Sequence, residues 1–343
     1  MPGDVNLYSD TQSQPGAEMR RAMAVAEVGD EQRRLDPTVN ELQERVAALL
    51  GHEAGLFLPS GTMCNQIAIR LHVRPGGDEV YLHRSSHPIV AEAGGAAALS
   101  GALVCPLEGE GGIFSAAALE AALRDPTDNH QPRSRLVCVE QTTNMGGGRV
   151  WPRAAIDAVL AVARQRGLRS HLDGARLLNA AVAAAEPAAA YAAGFDSAWL
   201  DFTKGLGAPV GACLVGPRET IEEAWRYKQM LGGAMRQAGI VAAGALWALD
   251  HNVERLAEDH ANARLLAAGL AAIDGVAIDP AAVETNIVIF EVADAAGLVA
   301  ELAAAGIEMG AFGGRVRAVT HLDVDRAGVE RAVAAVADAL ARR

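Results

Sequence analysis

The predicted fold follows from one stretch of the sequence, Ser197-Ala198-Trp199-Leu200-Asp201-Phe202-Thr203-Lys204-Gly205. The run 197–202 is short and mostly apolar, which predicts a buried β-strand. Lys204 follows that strand, with a hydroxyl residue before it and small residues after it. A second short strand is predicted at residues 169–172 and leads to Asp173. Because ligands of open α/β sheets bind at the carboxyl ends of the strands, Lys204 and Asp173 are predicted to share one site.

The pair formed by Lys204 and Asp173 matches the needs of pyridoxal phosphate (PLP). A lysine amine can form a Schiff base with the aldehyde of this cofactor, and a carboxylate can pair with its protonated pyridine nitrogen. A buried carboxylate such as Asp173 is costly unless it has such a partner. The alternatives are that Asp173 caps the helix after it and that Lys204 is a solvated loop lysine. The strand before Lys204 and the small residues after it argue against a solvated loop.

The rest of the large N-terminal part alternates between predicted strands and helices. Further strands are predicted at residues 55–59, 78–82, 102–107, 135–140 and 210–215, and helices at residues 61–71 and 154–166. Strands that alternate with helices indicate an α/β fold with a mostly parallel central sheet, flanked by helices on both faces. The alanine-rich segment 180–190 is predicted to be helical and packed, because alanine is the best helix former.

The pattern changes after residue 249. The predicted elements are then a long helix (252–272), a strand (286–292), a helix (295–305), a strand (316–320) and a closing helix from residue 326. This order indicates a small α+β domain. The sequence therefore predicts a large domain at 1–249, which includes an N-terminal arm of about residues 1–40, and a small C-terminal domain at 250–343.

Composition limits the function classes. The chain has 343 residues, of which 50% are hydrophobic and 21% charged, as is usual in globular enzymes. Its formal net charge of −12 argues against nucleic acid or an anionic membrane as a partner. None of the four cysteines forms a C-x-x-C pair, so no metal site is predicted. Residues 1–6 lack the features of a secretory signal, and the uncharged run 237–249 is too short to span a membrane, so we expect a cytoplasmic protein.

Two further motifs could complete a PLP site. Ser60-Gly61-Thr62 opens a predicted helix, whose N-terminal N–H groups and adjacent hydroxyl could bind a phosphate. A plain N-cap is the alternative interpretation of this motif. His87 lies on a loop after a predicted strand, where an imidazole could stack on a flat heterocycle or could be an ordinary surface histidine.

Three arginines could bind anionic groups. Arg176, shortly after Asp173, could bind the phenolate oxygen of the PLP ring or a substrate carboxylate. Arg236 follows a glycine-rich turn and could reach a phosphate, unless that turn is only a flexible connector. Arg317, in a predicted strand of the small domain, could clamp a substrate α-carboxylate through two hydrogen bonds. The alternative for Arg317 is a surface salt bridge.

Together these segments resemble the low-specificity L-threonine aldolases, which are fold-type I PLP enzymes of the β-eliminating lyase group. The resemblance covers nearly the whole chain, from residues 7–11 to residues 321–324. The strings that carry it are Leu7-Tyr8-Ser9-Asp10-Thr11, Asp36-Pro37-Thr38-Val39-Asn40, Glu92-Ala93-Gly94-Gly95-Ala96-Ala97, His171-Leu172-Asp173-Gly174-Ala175-Arg176, Lys204-Gly205-Leu206-Gly207-Ala208-Pro209-Val210-Gly211, Met235-Arg236-Gln237 and His321-Leu322-Asp323-Val324.

The resemblance implies an aldolase that cleaves an L-threonine-like β-hydroxy-α-amino acid to glycine and an aldehyde. It implies that Lys204 carries PLP and that Asp173 binds the ring nitrogen. It implies that the phosphate is bound by Gly61, Thr62 and Arg236, the last from a neighbouring subunit, and that His87 stacks on the ring. It implies that the substrate carboxylate is bound by Ser9, Arg176 and Arg317, and that His130 lies near the substrate hydroxyl. His87 or a water is the implied base that removes the β-hydroxyl proton. The implied assembly is a homotetramer built from dimers.

The outer part of the implied site departs from the family pattern. The stretch Gln32-Arg33-Arg34-Leu35 stands where the family usually has a tyrosine-glycine pair, Thr143 stands where it often has histidine, and Gln229 stands where it has lysine. These departures leave a second hypothesis open, which is another PLP reaction such as β-elimination, racemisation or transamination. A third hypothesis is a non-catalytic protein of the same fold that binds a partner.

Overall fold

The computed structural model describes residues 4–343. Its strands are β1 (Val5–Asn6), β2 (Ala54–Leu58), β3 (Asp78–His83), β4 (Leu103–Leu107), β5 (Arg133–Glu140), β6 (Arg169–Asp173), β7 (Ser197–Asp201), β8 (Ala212–Gly216), β9 (Ile287–Glu291), β10 (Ile307–Glu308), β11 (Gly310–Phe312) and β12 (Arg315–Val319). Its helices are α1 (Ala17–Ala24), α2 (Pro37–Leu50), α3 (Gly61–His72), α4 (His87–Val90), α5 (Gly95–Ser100), α6 (Ala116–Ala122), α7 (Arg153–Arg166), α8 (Leu177–Ala184), α9 (Ala188–Ala192), α10 (Arg218–Met230), α11 (Gly239–His251), α12 (Leu256–Ala271), α13 (Ala295–Ala304) and α14 (Arg326–Ala341). Residues 1–3 lie outside the described residues. They are part of the predicted N-terminal arm and of the segment 1–6, in which no secretory signal is predicted.

Seven strands form the central sheet, in the order β2-β8-β7-β6-β5-β3-β4. Strands β4, β3, β5, β6 and β7 run parallel, and β8 pairs antiparallel with both β7 and β2. The prediction of a mostly parallel sheet flanked by helices is therefore confirmed. The register of β5 and β6 places Glu140 opposite Asp173, so the two carboxylates lie side by side at the carboxyl edge of the sheet.

Helix α7 shows how the sequence positions these strands. Its buried residues are Ile156, Val159, Leu160 and Ala163, the apolar positions predicted to share one face of an amphipathic helix. The helix ends at Gly167, whose φ of +70° lies in the left-handed region that glycine adopts without strain. β6 follows directly and carries the chain to Asp173 at the edge of the sheet.

A second hydrophobic core lies in the C-terminal part of the chain. Strands β11, β12 and β9 form an antiparallel sheet, and α12, α13 and α14 contribute buried apolar residues that pack with it. The N-terminus joins this core, because β1 pairs in parallel with β10 and both Val5 and Leu7 are buried there. The predicted division between residues 249 and 250 falls inside α11. That division remains a prediction.

One predicted helix begins later than expected. The sequence predicts a helix from residue 252, whereas α12 begins at Leu256. The side-chain amide of Asn252 donates a hydrogen bond to the carbonyl of Leu206, at 2.7 Å. Asn252 thereby holds the loop that follows Lys204. In the range 4–343, no helix combines the length and apolar character needed to cross a bilayer.

Candidate active site

A cavity of about 320 Å³ opens at the carboxyl edge of the central sheet. Three neighbouring strands end there in a carboxylate: β5 in Glu140, β6 in Asp173 and β7 in Asp201. The sequence-predicted site residues that line the cavity are Ser9, Gly61, Thr62, His87, Asp173, Arg176, Lys204 and Arg317. Asp173 and Lys204 meet because parallel strands of the central sheet end at the same edge, whereas Arg317 comes from β12 of the C-terminal sheet and Ser9 from the N-terminal segment.

Lys204 is fixed at the wall of the cavity by Asp201. Its Nζ forms an ion pair with Asp201 Oδ2, while Asp201 Oδ1 accepts hydrogen bonds from the backbone N–H and the hydroxyl of Thr203, at 3.0 and 2.9 Å. The carbonyl of Lys204 accepts a hydrogen bond from the hydroxyl of Ser13, at 2.9 Å. The side chain of Lys204 is 17% exposed, so its amine is held in place but remains reachable from the cavity.

Asp173 is a buried carboxylate that faces the cavity. Asn65 Nδ2 donates a hydrogen bond to Oδ2, at 2.8 Å, and the backbone N–H of Ala175 donates one to Oδ1, at 3.1 Å. Burial raises the pKa of Asp173, and the hydrogen bond from Asn65 acts in the opposite direction. A protonated ring nitrogen in the cavity would supply the positive partner that favours the ionised carboxylate.

A chain of buried polar groups extends behind Asn65, away from the cavity. Asn65 Oδ1 lies 3.2 Å from His171 Nε2, His171 Nδ1 lies 2.8 Å from Ser197 Oγ, and Ser197 Oγ lies 2.7 Å from His72 Nε2. Burial lowers the pKa of His171 to about 3 and that of His72 to about 4. Both imidazoles are therefore neutral at pH 7, and the chain fixes the orientation of the Asn65 amide.

His87 occupies the first position of α4 and borders the cavity. Its backbone N–H donates a hydrogen bond to Glu140 Oε2, at 2.8 Å, and its Nδ1 lies 2.7 Å from Glu92 Oε1. The hydrogen bond with Glu92 raises the pKa of His87. Burial, together with the charge of Asp173, raises the pKa of Glu140 to about 7. Two groups that can exchange protons near neutral pH thus lie beside the cavity.

The start of α3 provides an anion-binding corner. Ser60 is the N-cap of this helix, and its hydroxyl accepts a hydrogen bond from the backbone N–H of Met63, at 3.2 Å. Gly61 is required at the first helical position, because a Cβ atom there would overlap the indole of Trp199. The backbone N–H groups of the helix N-terminus and the side chain of Thr62 border the cavity, as the phosphate-binding prediction requires.

Arg176 is committed to an internal ion pair. Its Nε and Nη2 donate hydrogen bonds to the two oxygens of Asp10, at 2.7 and 2.6 Å, and both side chains are buried. Its remaining nitrogen, Nη1, lies 3.5 Å from Asn144 Oδ1. Arg176 borders the cavity as predicted, although Asp10 takes two of its five N–H donors.

Arg317, in contrast, forms no ion pair with any acidic side chain that the structure describes. Its Nη2 donates a hydrogen bond to Asn144 Oδ1, at 2.7 Å, and its Nη1 donates one to the carbonyl of Tyr8, at 3.2 Å. Its Nε is buried without a partner. Burial, together with the charge of Arg176, lowers the pKa of Arg317 to about 10. Arg317 is therefore charged at neutral pH and borders the cavity with a positive charge that a carboxylate could neutralise.

Two of the predicted site residues do not reach the cavity of their own chain. His130 precedes β5, at the amino edge of the sheet, and its side chain is 90% exposed. The side chain of Arg236 is 65% exposed and lies 3.6 Å from Asp30. Neither residue borders the cavity. The roles predicted for them would require contact with a neighbouring subunit.

A larger cavity, of about 820 Å³, lies at the opposite edge of the sheet, near the start of β5. Most of its arginines are paired with acidic residues; Arg124, for example, donates hydrogen bonds to both oxygens of Glu79, at 2.8 and 2.9 Å. It lacks both Lys204 and the strand-end carboxylates. Size alone therefore does not identify the functional site of this chain.

The sequence-based prediction missed several residues of the site, among them Glu140, Asp201, Asn65 and Asp10. Glu140 and Asp201 end buried strands, as Asp173 does, so the same strand-end signal could have identified them. Asn65 and Asp10 carry no comparable local signal. Each is recognised only through a partner that is distant in sequence.

Three residues that depart from the family pattern, Arg33, Thr143 and Gln229, lie outside the cavity. Arg33 and Gln229 are exposed, and Thr143 is buried under a turn, where its hydroxyl accepts a hydrogen bond from the backbone N–H of Arg149, at 3.2 Å. Lys228, beside Gln229, is fully buried and paired with Glu31. Within one chain, these departures therefore leave the lining of the cavity unchanged.

Residues 6–295, most of the chain, match the family described as Beta-eliminating lyase. The chain belongs to the beta-eliminating lyase family. Among related members, the probable low-specificity L-threonine aldolase 2 of Arabidopsis thaliana is 40% identical over 336 residues, which cover 95% of this chain and 94% of the relative. The low specificity L-threonine aldolase of Escherichia coli K12 is 39% identical over 324 residues, 94% of this chain and 95% of the relative.

Solved structures place this family member in the same fold. The threonine aldolase of Leishmania major superposes with a TM-score of 0.83, covering 98% of this chain and 99% of the other, at 21% sequence identity. At this identity the likeness shows the fold. The cavity at the carboxyl edge of the sheet is the candidate active site of this family member.

The residues present at the site fit PLP on three structural observations. Asp173 faces the cavity without a cation in hydrogen-bond contact, Gly61 leaves the start of α3 free of a side chain, and Arg317 keeps a buried Nε without a partner. The chain contains two lysines, Lys204 and Lys228, and only Lys204 borders the cavity. Among residues 4–343, no cluster of three or more His, Cys, Asp or Glu side chains could hold a metal ion.

Proposed function

We propose that this chain is a PLP-dependent carbon–carbon lyase that cleaves L-threonine and related β-hydroxy-α-amino acids to glycine and an aldehyde. The observation that carries the proposal is the meeting of Lys204 and Asp173 in one cavity, in a chain that is 40% identical over nearly its whole length to a relative named as an L-threonine aldolase. The resemblance of the sequence motifs to that group supports the same reaction.

When bound, PLP supplies an aldehyde for an amine and an electron-withdrawing ring that stabilises negative charge on the α-carbon of the substrate. In the proposed arrangement, the amine of Lys204 binds the aldehyde, and Asp173 keeps the proton on the ring nitrogen. Gly61, Thr62 and the N-terminus of α3 bind the phosphate. His87 borders the ring position, where its imidazole is held by Glu92.

The proposed substrate contacts follow from the free donors of the cavity. Arg317 binds the α-carboxylate, because its charge has no other acidic partner in the described part of the chain. Ser9 lines the same part of the cavity. His87, or a water that it holds, takes the proton of the β-hydroxyl, so that the bond between Cα and Cβ breaks and the aldehyde leaves. The electron pair remains on Cα, which is then protonated to give glycine.

We further propose that the enzyme is a cytoplasmic homotetramer, built as a dimer of dimers. His130 and Arg236 support this proposal, since both are exposed in one chain and could complete the site of a neighbour. Light scattering coupled to gel filtration measures the assembly, and a monomer would contradict the proposal.

The decisive experiment for the cofactor is reduction of the PLP-loaded protein with borohydride, followed by peptide mapping. The expected product carries the cofactor on Lys204. Lys228 serves as an internal control, because it is fully buried and paired with Glu31. Label on Lys228, or on neither lysine, would contradict the proposed role of Lys204.

Product analysis tests the reaction itself. Wild-type protein with PLP is expected to convert L-threonine to equal amounts of glycine and acetaldehyde, and Lys204→Ala is expected to abolish this conversion. Release of ammonia and a keto acid would instead establish β-elimination, which is the second hypothesis. A panel of threonine, allo-threonine, serine and phenylserine then defines the preferred side chain and stereochemistry.

A further inference from the structure

Asp201 borders the cavity but has no part in the reaction steps proposed above. It is the last residue of β7, and its side chain is 3% exposed. Its Oδ1 accepts hydrogen bonds from the backbone N–H and the hydroxyl of Thr203, at 3.0 and 2.9 Å. Its Oδ2 is directed to Nζ of Lys204. Thr203 thus fixes one oxygen of the carboxylate, and the other oxygen pairs with the lysine amine.

The other cations near the cavity do not take the place of Lys204 as the partner of Asp201. Arg176 is bound to Asp10 through two hydrogen bonds, and Arg317 donates to Asn144 and to the carbonyl of Tyr8. A buried carboxylate without a cation is costly. The stability of Asp201 in this position therefore depends on a positive charge at Nζ of Lys204.

We propose that Asp201 is a positioning residue that holds the amine of Lys204 as an ammonium whenever this amine is not bonded to PLP. The inference rests on the proposed function. When a substrate amine replaces Lys204, the carbon–nitrogen bond to Nζ breaks, a carbon–nitrogen bond to the substrate forms, and two protons pass from the substrate ammonium to Nζ. Asp201 then pairs with the released ammonium and favours the substrate-bound form of the enzyme.

The test compares two small ligands, of which only one carries an amine that can replace Lys204. Glycine carries an amine and has no β-carbon to cleave, whereas glycolate carries a hydroxyl in place of the amine. Titration calorimetry measures the affinity of the PLP-loaded enzyme for each ligand. In Asp201→Asn, the affinity for glycine should fall by about tenfold or more, since an ammonium loses its buried partner, while that for glycolate should stay within about twofold.

A matched control is available at the other end of the same strand. Asp196 immediately precedes β7 and pairs with Arg169, at 2.6 Å, away from the cavity. Asp196→Asn also removes one carboxylate charge and should leave the ratio of the two affinities unchanged. Equal losses for glycine and glycolate in Asp201→Asn would show that Asp201 only shapes the cavity, and unchanged affinities would show that it has no role. Either result overturns the proposal.

A second variant and a second measurement keep the test independent of folding and of turnover. Asp201→Ser retains a hydroxyl near Thr203 without the charge and should change the affinity ratio in the same direction as Asp201→Asn. Loading of the apoprotein with PLP, followed by absorbance, shows whether each variant still forms the bond to Lys204. If wild-type protein does not load at Lys204, the proposed function fails. If it loads normally and the ratio is unchanged in both variants, only the role of Asp201 fails.

Discussion

Arg176 donates two hydrogen bonds to the carboxylate of Asp10, at 2.7 and 2.6 Å, and thereby ties the N-terminal segment to the turn after β6. Burial alone would raise the pKa of Asp10, but the charge and the hydrogen bonds of Arg176 hold it well below its usual range. Asn286 Nδ2 donates a further hydrogen bond to Asp10, at 3.0 Å. The carboxylate therefore connects three parts of the chain that are distant in sequence.

Replacement of Asp10 should destabilise the protein strongly. In Asp10→Asn, the buried guanidinium of Arg176 loses its counter-charge, and breaking a buried pair in this way costs about 3–5 kcal/mol. Urea unfolding of the apoprotein measures this loss. Glu18→Gln is the matched control, because Glu18 pairs with Arg21 on the exposed surface and should cost at most about 1 kcal/mol. Similar losses in the two variants would contradict the structural role of Asp10.

Replacement of Arg317 should weaken substrate binding more than turnover. Arg317→Gln removes the guanidinium proposed to bind the α-carboxylate, and a lost charge-assisted hydrogen bond of about 1.5–3 kcal/mol corresponds to a rise in KM of about 10- to 100-fold. Because the carboxylate is bound before and during the reaction, kcat should change less. Steady-state kinetics with L-threonine separate the two constants. Arg315→Gln, an exposed position on the same strand, should change neither.

Much of the fold could be predicted because its signals are local. The buried face of α7 follows from the spacing of Ile156, Val159, Leu160 and Ala163. The strand-end position of Asp173 follows from the short predicted strand that precedes it, between Gly167 and Gly174. The end of α7 could also be predicted, because Gly167 ends this helix at the expected residue.

The contacts that complete the site could not be predicted in the same way. Asn65 meets Asp173 only because α3 packs against the central sheet, and Asp10 meets Arg176 only because β1 pairs with β10. Such pairs depend on the register of elements that are distant in sequence. The exposure of His130 likewise depends on which edge of the sheet its loop occupies.

Buried histidines that are neutral in the folded protein should make stability depend on pH. Burial lowers the pKa of His72 to about 4 and that of His171 to about 3. Below about pH 6.5 the unfolded chain binds protons that the folded chain does not, so the free energy of unfolding should fall as the pH falls from about 6.5 to about 4, by up to about 1.4 kcal/mol per pH unit for each histidine. Urea unfolding of the apoprotein at several pH values measures the slope.

His171→Gln should make this slope shallower than in wild type, because the difference in proton binding at His171 is removed. The comparison between variant and wild type is needed, since carboxyl groups titrate in the same range. His130→Asn is the control for the slope, as the side chain of His130 is 90% exposed. An unchanged slope in His171→Gln would contradict a neutral His171 in the folded protein.

Substitution of Gly61 should impair cofactor binding. A Cβ atom at Gly61 would overlap the indole of Trp199, so Gly61→Ala must displace either this ring or the start of α3. Overpacking of this kind costs about 1–3 kcal/mol, and the affinity for PLP, measured by titration of the apoprotein, should fall. Gly16→Ala is the matched control, because no other atom lies within 4 Å of a Cβ atom built there. Equal PLP affinity in Gly61→Ala and wild type would contradict a close backbone approach to the phosphate.

The pairing of β1 with β10 has a consequence for biosynthesis. Val5 lies opposite Ile307, so during translation β1 must wait for a partner that lies far later in the sequence. Until then Leu7 lacks its core and Asp10 cannot reach Asn286. The strands of the central sheet all precede β10 in the sequence and can pair before it is made, whereas the substrate pocket can be closed only after β10 has been translated. A ribosome-stalled chain that lacks β10 should therefore be able to build the sheet around Lys204 while leaving its amino-terminal residues open to protease.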